Sequence, residues 1–382
     1  MSHLLEELKR FASAIEGDAR QQLMFALLDF AYSLEDSNAT IHRLGYLHLQ
    51  TAAVKTGFDL GLFTLLAESG DDSLILETIA QKTGSDVKLL SRLLGYLSSV
   101  NVVKQVSATH YKSNQVTKNL AEKVSEAGIS HCFETIGPQY QALPRFLKET
   151  KYKNPDDALH TVFQDAWKTP LHAFAWFQSH PENLNHFNDY MALRRGPEVS
   201  WITVYPVHEE TVGWDADKPV YVNIGGGVGH QCAQFKDKYP DVPGRVILQD
   251  LPHSIEKALH TVGVEAVVHD FFDPQPVKGA KFYYTRGVLH NHPDYKVKQL
   301  LQNTKSAMTS ESIMLLDEMI LPEEGVNAYA SCMDMTMMAA FAGMERSESH
   351  WNEILSDVGL KLVKTYMYNP ENYEGVMDVR LV

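Results

Sequence analysis

Basic residues are scarce in this chain: 34 lysines and arginines stand against 48 aspartates and glutamates over 382 residues, for a formal net charge of −14. A surface of that sign repels polyphosphate and anionic headgroups, which argues against nucleic-acid or membrane-surface partners and for neutral or cationic ligands. Cysteine is scarcer still. Cys132, Cys232 and Cys332 are far apart and show no C-x-x-C spacing, so neither a disulfide framework nor a zinc site is indicated, and a reducing, cytoplasmic setting is expected. Long apolar runs are missing too. No stretch approaches the ~18 apolar residues of a membrane span, and the opening Met1-Ser2-His3-Leu4-Leu5-Glu6-Glu7 has no signal-peptide core. What is present is ordinary globular material, 44% hydrophobic and 21% charged, so the chain should fold throughout. It is longer than the about 250–300 residues at which one core stops growing, and two cores are expected.

The first third reads as helical. Leu4, Leu5, Leu8 and Phe11, then Leu23, Leu27 and Phe30, recur at helical spacing around a break at Glu16-Gly17-Asp18. Leu47–Leu66 reads as one further helix, mostly buried. Leu74–Ala80, a turn at Thr83-Gly84-Ser85, a helix over Asp86–Ser98 and a hairpin around Ser107-Ala108-Thr109 then give a winged-helix order. A winged helix can read DNA, but the would-be recognition helix carries only Lys88 and Arg92 as bases, among Leu89, Leu90, Leu93, Leu94 and Leu97. Packing against a second copy of the chain suits that composition better than a nucleic-acid groove. Ile129–Tyr190 is helical and aromatic, with turns expected at Pro144 and Pro170; it suits a substrate lid or connector, and also plain core.

After Trp214 short β-rich runs alternate with helical ones: Val220–Ile224, Arg245–Gln249, Ala266–His269, Lys281–Val288 and Ile313–Glu318. This is the pattern of a doubly wound parallel sheet. The last two runs, Leu362–Tyr368 and Val376–Val382, are joined too closely for a crossover helix and must pair antiparallel at the sheet edge. The division expected is 1–120 as a winged-helix dimerisation domain, 121–200 as connector or lid, and 201–382 as a Rossmann-like α/β catalytic domain.

The first strand of that domain runs into Gly225-Gly226-Gly227-Val228-Gly229-His230, a glycine-rich turn opening a helix, where the backbone can approach a ligand closely. A dinucleotide site wants G-x-G-x-x-G, and here His230 holds the last position. Asp250, about 25 residues beyond Gly225 at the end of the next strand, is placed to accept hydrogen bonds from ribose hydroxyls. Together these indicate a nucleoside-type cofactor, with spacing that leans toward S-adenosylmethionine.

With Val222-Asn223-Ile224-Gly225-Gly226-Gly227, Gln249-Asp250-Leu251-Pro252, His269-Asp270-Phe271-Phe272, Leu289-His290-Asn291-His292-Pro293-Asp294, Asp317-Glu318-Met319 and Met344-Glu345-Arg346-Ser347 in this order, the chain resembles the plant and fungal small-molecule O-methyltransferases, most of all their fungal secondary-metabolite branch. The resemblance implies an S-adenosylmethionine cofactor, an intertwined homodimer and a small-molecule substrate bearing a hydroxyl. It implies that Gly225 and Gly227 face the methionine part of the cofactor, Asp250 the ribose, Asp270 and Phe271 the adenine, and Arg286 the outer edge. It makes His290 the general base, steered by Glu318 and Glu345. Elementary chemistry agrees: a phenol, with pKa about 10, needs a base at neutral pH, and a carboxylate fixes a histidine's tautomer. Two positions depart from the family pattern, Asn223 and Asn291, each an amide where aspartate is usual.

His290, His292 and Asp294 lack a third histidine to complete a facial metal set, and no metal is expected. Met333 and Met337, with Met335, Met338 and Met344, could grip a flat substrate or simply fill core. His131 could face the substrate or be a satisfied core histidine. The leading function is methylation of a hydroxyl on an aromatic or polyketide-like metabolite. The rival is a pericyclase on the same scaffold, in which S-adenosylmethionine stays bound as a positive charge while dehydration, hetero-Diels–Alder, Alder-ene or related rearrangements proceed. A winged-helix DNA-binding regulator is the third reading.

Overall fold

The computed structural model describes residues 2–194, 196 and 199–382, in two compact units: 1–133 with 186–193, and 134–185 with 194–382. The segment 121–200 is thus shared between them. Among the described residues, no helix is long and apolar enough to cross a membrane.

The first unit begins with helices Ser2–Ser13, Gly17–Ser33 and Ser37–Gly45, the last of which buries none of its residues. The run expected as one helix over Leu47–Leu66 is two, Leu47–Asp59 and Leu62–Glu68. Gly61 divides them at φ +61°, a left-handed conformation that a helix cannot pass through. The winged-helix order follows. Strand β1 (Leu74–Ile75) leads to helix Leu76–Thr83, stopped by Gly84 at φ +66°; helix Val87–Ser99 starts on Asp86, whose carboxylate accepts from the Leu89 N–H at 2.9 Å; β2 (Lys104–Gln105) and β3 (His110–Lys112) complete a sheet of order β1-β3-β2. Leu62, Phe63, Leu90, Leu94, Leu97 and Tyr111 form its core.

In the second unit the parallel strands β4 (Pro219–Ile224), β5 (Arg245–Asp250), β6 (Val264–Val268), β7 (Phe282–Arg286) and β8 (Ile313–Leu321) lie in the order β6-β5-β4-β7-β8. A two-residue strand, β9 (Arg346–Ser347), pairs parallel with the far end of β8. β10 (Leu360–Asn369) and β11 (Glu374–Leu381) form the expected hairpin, with β11 placed antiparallel between β8 and β10. Pro219, which has no N–H to give, opens β4 beside an irregularity in the ladder. Both faces of the sheet are covered, so its strands are almost uniformly apolar: Val222, Ile224, Met314 and Leu316 belong to one core with Trp351, while Val220, Tyr221, Ile313 and Leu315 belong to the other with Trp201.

Pro144, expected at a turn, lies inside the helix Gly137–Glu149. Proline costs a helix its bond to the carbonyl four residues back. Here the packing of Ala142 and Phe146 with Val162 and Ala339 holds the helix through that loss.

Candidate active site

The order β5-β4-β7 puts the topological switch point at the carboxyl end of β4, where open α/β sheets hold ligands. The glycine turn sits there. Gly225, Gly227 and Gly229 take φ of +64°, +60° and +96°, and Gly229 caps the helix His230–Lys238. Most of the turn is packed: a Cβ at Gly225 would stand 3.0 Å from Val288 and 3.4 Å from Phe271, and one at Gly226 would collide with Asn223 and Leu248 at 2.4 and 2.6 Å. Gly227 differs. Among the described residues nothing lies within 4 Å of a Cβ built there, so this is where the backbone is open to a bound molecule.

Asp250 ends β5 with one oxygen accepting the Gly227 N–H at 2.7 Å and the other the Leu251 N–H at 2.8 Å. Its remaining lone pairs can accept from hydroxyls. Phe271 is half-buried, edge-on to Phe272 and to His292, with its carbonyl bonded by Asn303. Asp270 is exposed and accepts from the Phe272 N–H at 2.9 Å. An open glycine, a flat apolar wall and an acceptor at a strand end fit an adenosine-bearing cofactor.

Arg286 ends β7 in an ion pair. Burial works against its charge, but Asp317, 3.6 Å from its Nε, holds it charged, and Tyr284 and Tyr368 donate to the same carboxylate. Asp317 and Glu318 are adjacent in β8 and therefore point to opposite faces.

Glu318 faces the turn that follows β7. One oxygen accepts from the backbone N–H groups of Val288 and Leu289 at 3.1 and 2.8 Å, and the other is buried without a hydrogen-bond partner among the described residues. The 3-10 turn Leu289–Asn291 held in this way carries His290, whose Nδ1 lies 2.7 Å from Glu345 Oε1. The donor atoms of His290, Glu318 and Glu345 all fall within 4.8 Å of one another. With Nδ1 donating to Glu345, Nε2 is left as the acceptor. Burial alone would lower the His290 pKa; the Glu345 carboxylate, its hydrogen bond and the charge of Glu318 outweigh it and raise the pKa above 6.5. Burial pushes Glu318 up to about 7, with the imidazolium opposing. Such perturbation in a cluster of acid and base groups is usual where protons move.

The two departures from the family pattern have local explanations. The Asn291 amide donates to Gly287 O at 3.1 Å, a bond a carboxylate could not make. Asn223 is 1% exposed, so the amide spares the core a desolvated charge.

Met333 and Met337 are one turn apart on the helix Ala328–Phe341, half-buried and buried. His131 belongs to the first unit, is buried beside Phe187 at 5.4 Å between ring centroids, and is pushed down to about 4 by burial. Sequence reasoning missed Asp334, whose carboxylate accepts the Glu345 N–H at 2.9 Å from between Met333 and Met335. It also gave Arg346 no role, although the motif containing it was in view.

Residues 215–361 match the O-methyltransferase domain family and 44–123 the O-methyltransferase dimerisation domain. O-methyltransferase ucdC of Aspergillus ustus is 38% identical over 377 residues, 99% of this chain and 98% of the relative. The chain belongs to the O-methyltransferase family. It is, with the fold and site just described, an S-adenosylmethionine-dependent enzyme of that family. Two solved structures at 35% identity span 100% of this chain: one described as a pericyclic reaction enzyme, TM-score 0.88 with 99% of that chain covered, and one as LepI in complex with S-adenosylmethionine, TM-score 0.89 with 98% covered.

Proposed function

We propose that this enzyme methylates a hydroxyl of an aromatic or polyketide-like small molecule, with His290 as general base. The observation that carries the reading is the 2.7 Å bond from His290 Nδ1 to Glu345, which fixes the tautomer and presents Nε2 as a proton acceptor. S-adenosylmethionine supplies a methyl group on a positively charged sulfur and becomes S-adenosylhomocysteine on losing it. Gly225 and Gly227 face its methionine part, with Gly227 leaving it room, Asp250 accepts from its ribose, and Asp270 and Phe271 border its adenine. Arg286 holds the strand end beside it. Glu345 stabilises the imidazolium formed when His290 takes the hydroxyl proton, and Glu318 holds the backbone of the turn. Met333 and Met337 line the substrate side.

A second reading is a pericyclic reaction in which S-adenosylmethionine is kept as a fixed charge, favoured by the 0.88 TM-score to a pericyclic reaction enzyme over the whole chain. Product analysis separates them. Methylation gives a product heavier by one methyl group and one S-adenosylhomocysteine per turnover; a product isobaric with its precursor or its dehydrated form, with no S-adenosylhomocysteine, would replace the first reading with the second.

The first unit is proposed to pair with a second copy. Leu4, Phe11, Phe30, Ile41 and Leu44 are each more than half exposed along helices that lead into the matched dimerisation domain, more apolar surface than a monomer usually leaves in water. Sedimentation equilibrium at micromolar concentration should give twice the chain mass, and a monomer would overturn the pairing.

A further inference from the structure

A guanidinium has five N–H donors, and burying it is costly unless they are all engaged. Arg346 is 1% exposed, and its bonds reach two pieces of chain, 289–294 and the residues just before it. Nε and Nη2 donate to Asp294 Oδ1 at 3.0 and 2.9 Å; Nη1 donates to the carbonyls of Leu289 and Met344, both at 3.2 Å; Nη2 also donates to the His292 carbonyl at 2.7 Å. Leu289 and His292 bracket His290, and Met344 precedes Glu345. The same two segments meet directly: Met344 N–H donates to His290 O at 3.0 Å, and a Cβ at Gly343 would come within 2.1 Å of that oxygen. Arg346 also pairs with Ile320 at the end of the strand that carries Glu318. Asp294 is held from its other oxygen by His350 at 2.9 Å.

We infer that Arg346 is a positioning residue: its planar fork clamps the turn bearing His290 to the segment bearing Glu345, and so sets the hydrogen bond between base and carboxylate. The inference rests on reading His290 as the base, but its main readout needs no turnover. A lysine keeps the charge and loses the fork, offering three donors from one point. It cannot span Leu289, His292, Met344 and Asp294 together, and the Glu345 carboxylate then drifts from the ring.

The sign of the change distinguishes this role from simple electrostatics. Weakening the His290–Glu345 bond lowers the imidazole midpoint toward 6.5, whereas losing a nearby cation would raise it and general loosening elsewhere would leave it alone.

The experiment is NMR titration of the His290 imidazole, assigned by difference against His290→Ala, in the full-length enzyme and in Arg346→Lys. The expected result is a lower midpoint, a kcat reduced roughly 10–100-fold as for small misplacements of catalytic groups, and an unchanged KM for S-adenosylmethionine. A folded Arg346→Lys with the wild-type midpoint overturns the inference. Should that variant not fold, Asp294→Glu decides instead, because it keeps the charge but moves the carboxylate that receives Nε and Nη2 while leaving the carbonyl bonds: a lower midpoint with reduced kcat supports the clamp, and an unchanged midpoint overturns it. A lowered midpoint in an enzyme that never releases S-adenosylhomocysteine would keep the clamp and remove the methylation reading.

Discussion

His290→Ala should reduce methyl transfer by ~10²–10⁴-fold, the usual contribution of a positioned general base, while calorimetric affinity for S-adenosylmethionine stays at its wild-type value. The separation is expected because His290 stands on the turn after β7, whereas Gly227 and Asp250 stand at the ends of β4 and β5. Removing the ring also leaves Glu345, 6% exposed, without its bond to Nδ1. An abandoned buried acceptor costs about 1–3 kcal/mol, so the melting temperature should fall with no loss of cooperativity. The pH profile supplies an independent sign. The neutral imidazole is the active form and its pKa is raised, so wild-type kcat/KM should fall as pH drops through a midpoint above 6.5, and that limb should vanish in His290→Ala. A variant that still releases S-adenosylhomocysteine at the wild-type rate would show that another group takes the proton.

The parallel strands and the closing hairpin were legible because both follow from local patterns: apolar runs of strand length, a glycine turn after the first, and a link too short for a crossover. The ends of elements were less so. The strand expected over Lys281–Val288 stops at Arg286 because Gly287 takes φ +57° and Glu318 captures the amides of Val288 and Leu289. Nothing near Gly287 in sequence announces that glutamate, which is about 30 residues away. Leu47–Leu66 failed in the opposite way: the signal, Gly61, was present, and the apolar density around it masked the stop.

The site divides along the same line. Residue types and order, with the family resemblance, were enough to nominate His290, Glu318 and Glu345, and the fold does bring their side chains together. Their different tasks were invisible, because they depend on which atoms meet. Glu345 bonds the ring, whereas Glu318 bonds the backbone beneath it. Arg286 shows the limit most clearly. The family resemblance assigned it to the cofactor's outer edge; its partner Asp317 and the tyrosines from β7 and β10 could not be read from the residues around it.

The glycine turn offers the cleanest test of where the cofactor lies, since two adjacent glycines differ in what surrounds them. A Cβ at Gly226 would strike Asn223 and Leu248, so Gly226→Ala should destabilise the fold itself, by the about 1–3 kcal/mol typical of overpacking. A Cβ at Gly227 meets no atom of the described residues within 4 Å, and its cost to the free protein is that of the left-handed backbone at φ +60°, about 1–2 kcal/mol. With ligand present the order reverses. Gly227→Val projects its methyl groups into the space assigned to the cofactor, and even about 1–3 kcal/mol of steric conflict weakens binding roughly 10–100-fold. Calorimetry should therefore show S-adenosylmethionine binding weakened most in Gly227→Val, in a protein that melts no lower than Gly226→Ala. Because Gly227 N–H is also bonded to Asp250, any shift of the valine backbone would disturb the carboxylate proposed to hold the ribose as well, and both effects act in the same direction. Wild-type affinity in Gly227→Val would mean that the cofactor does not pass over this turn.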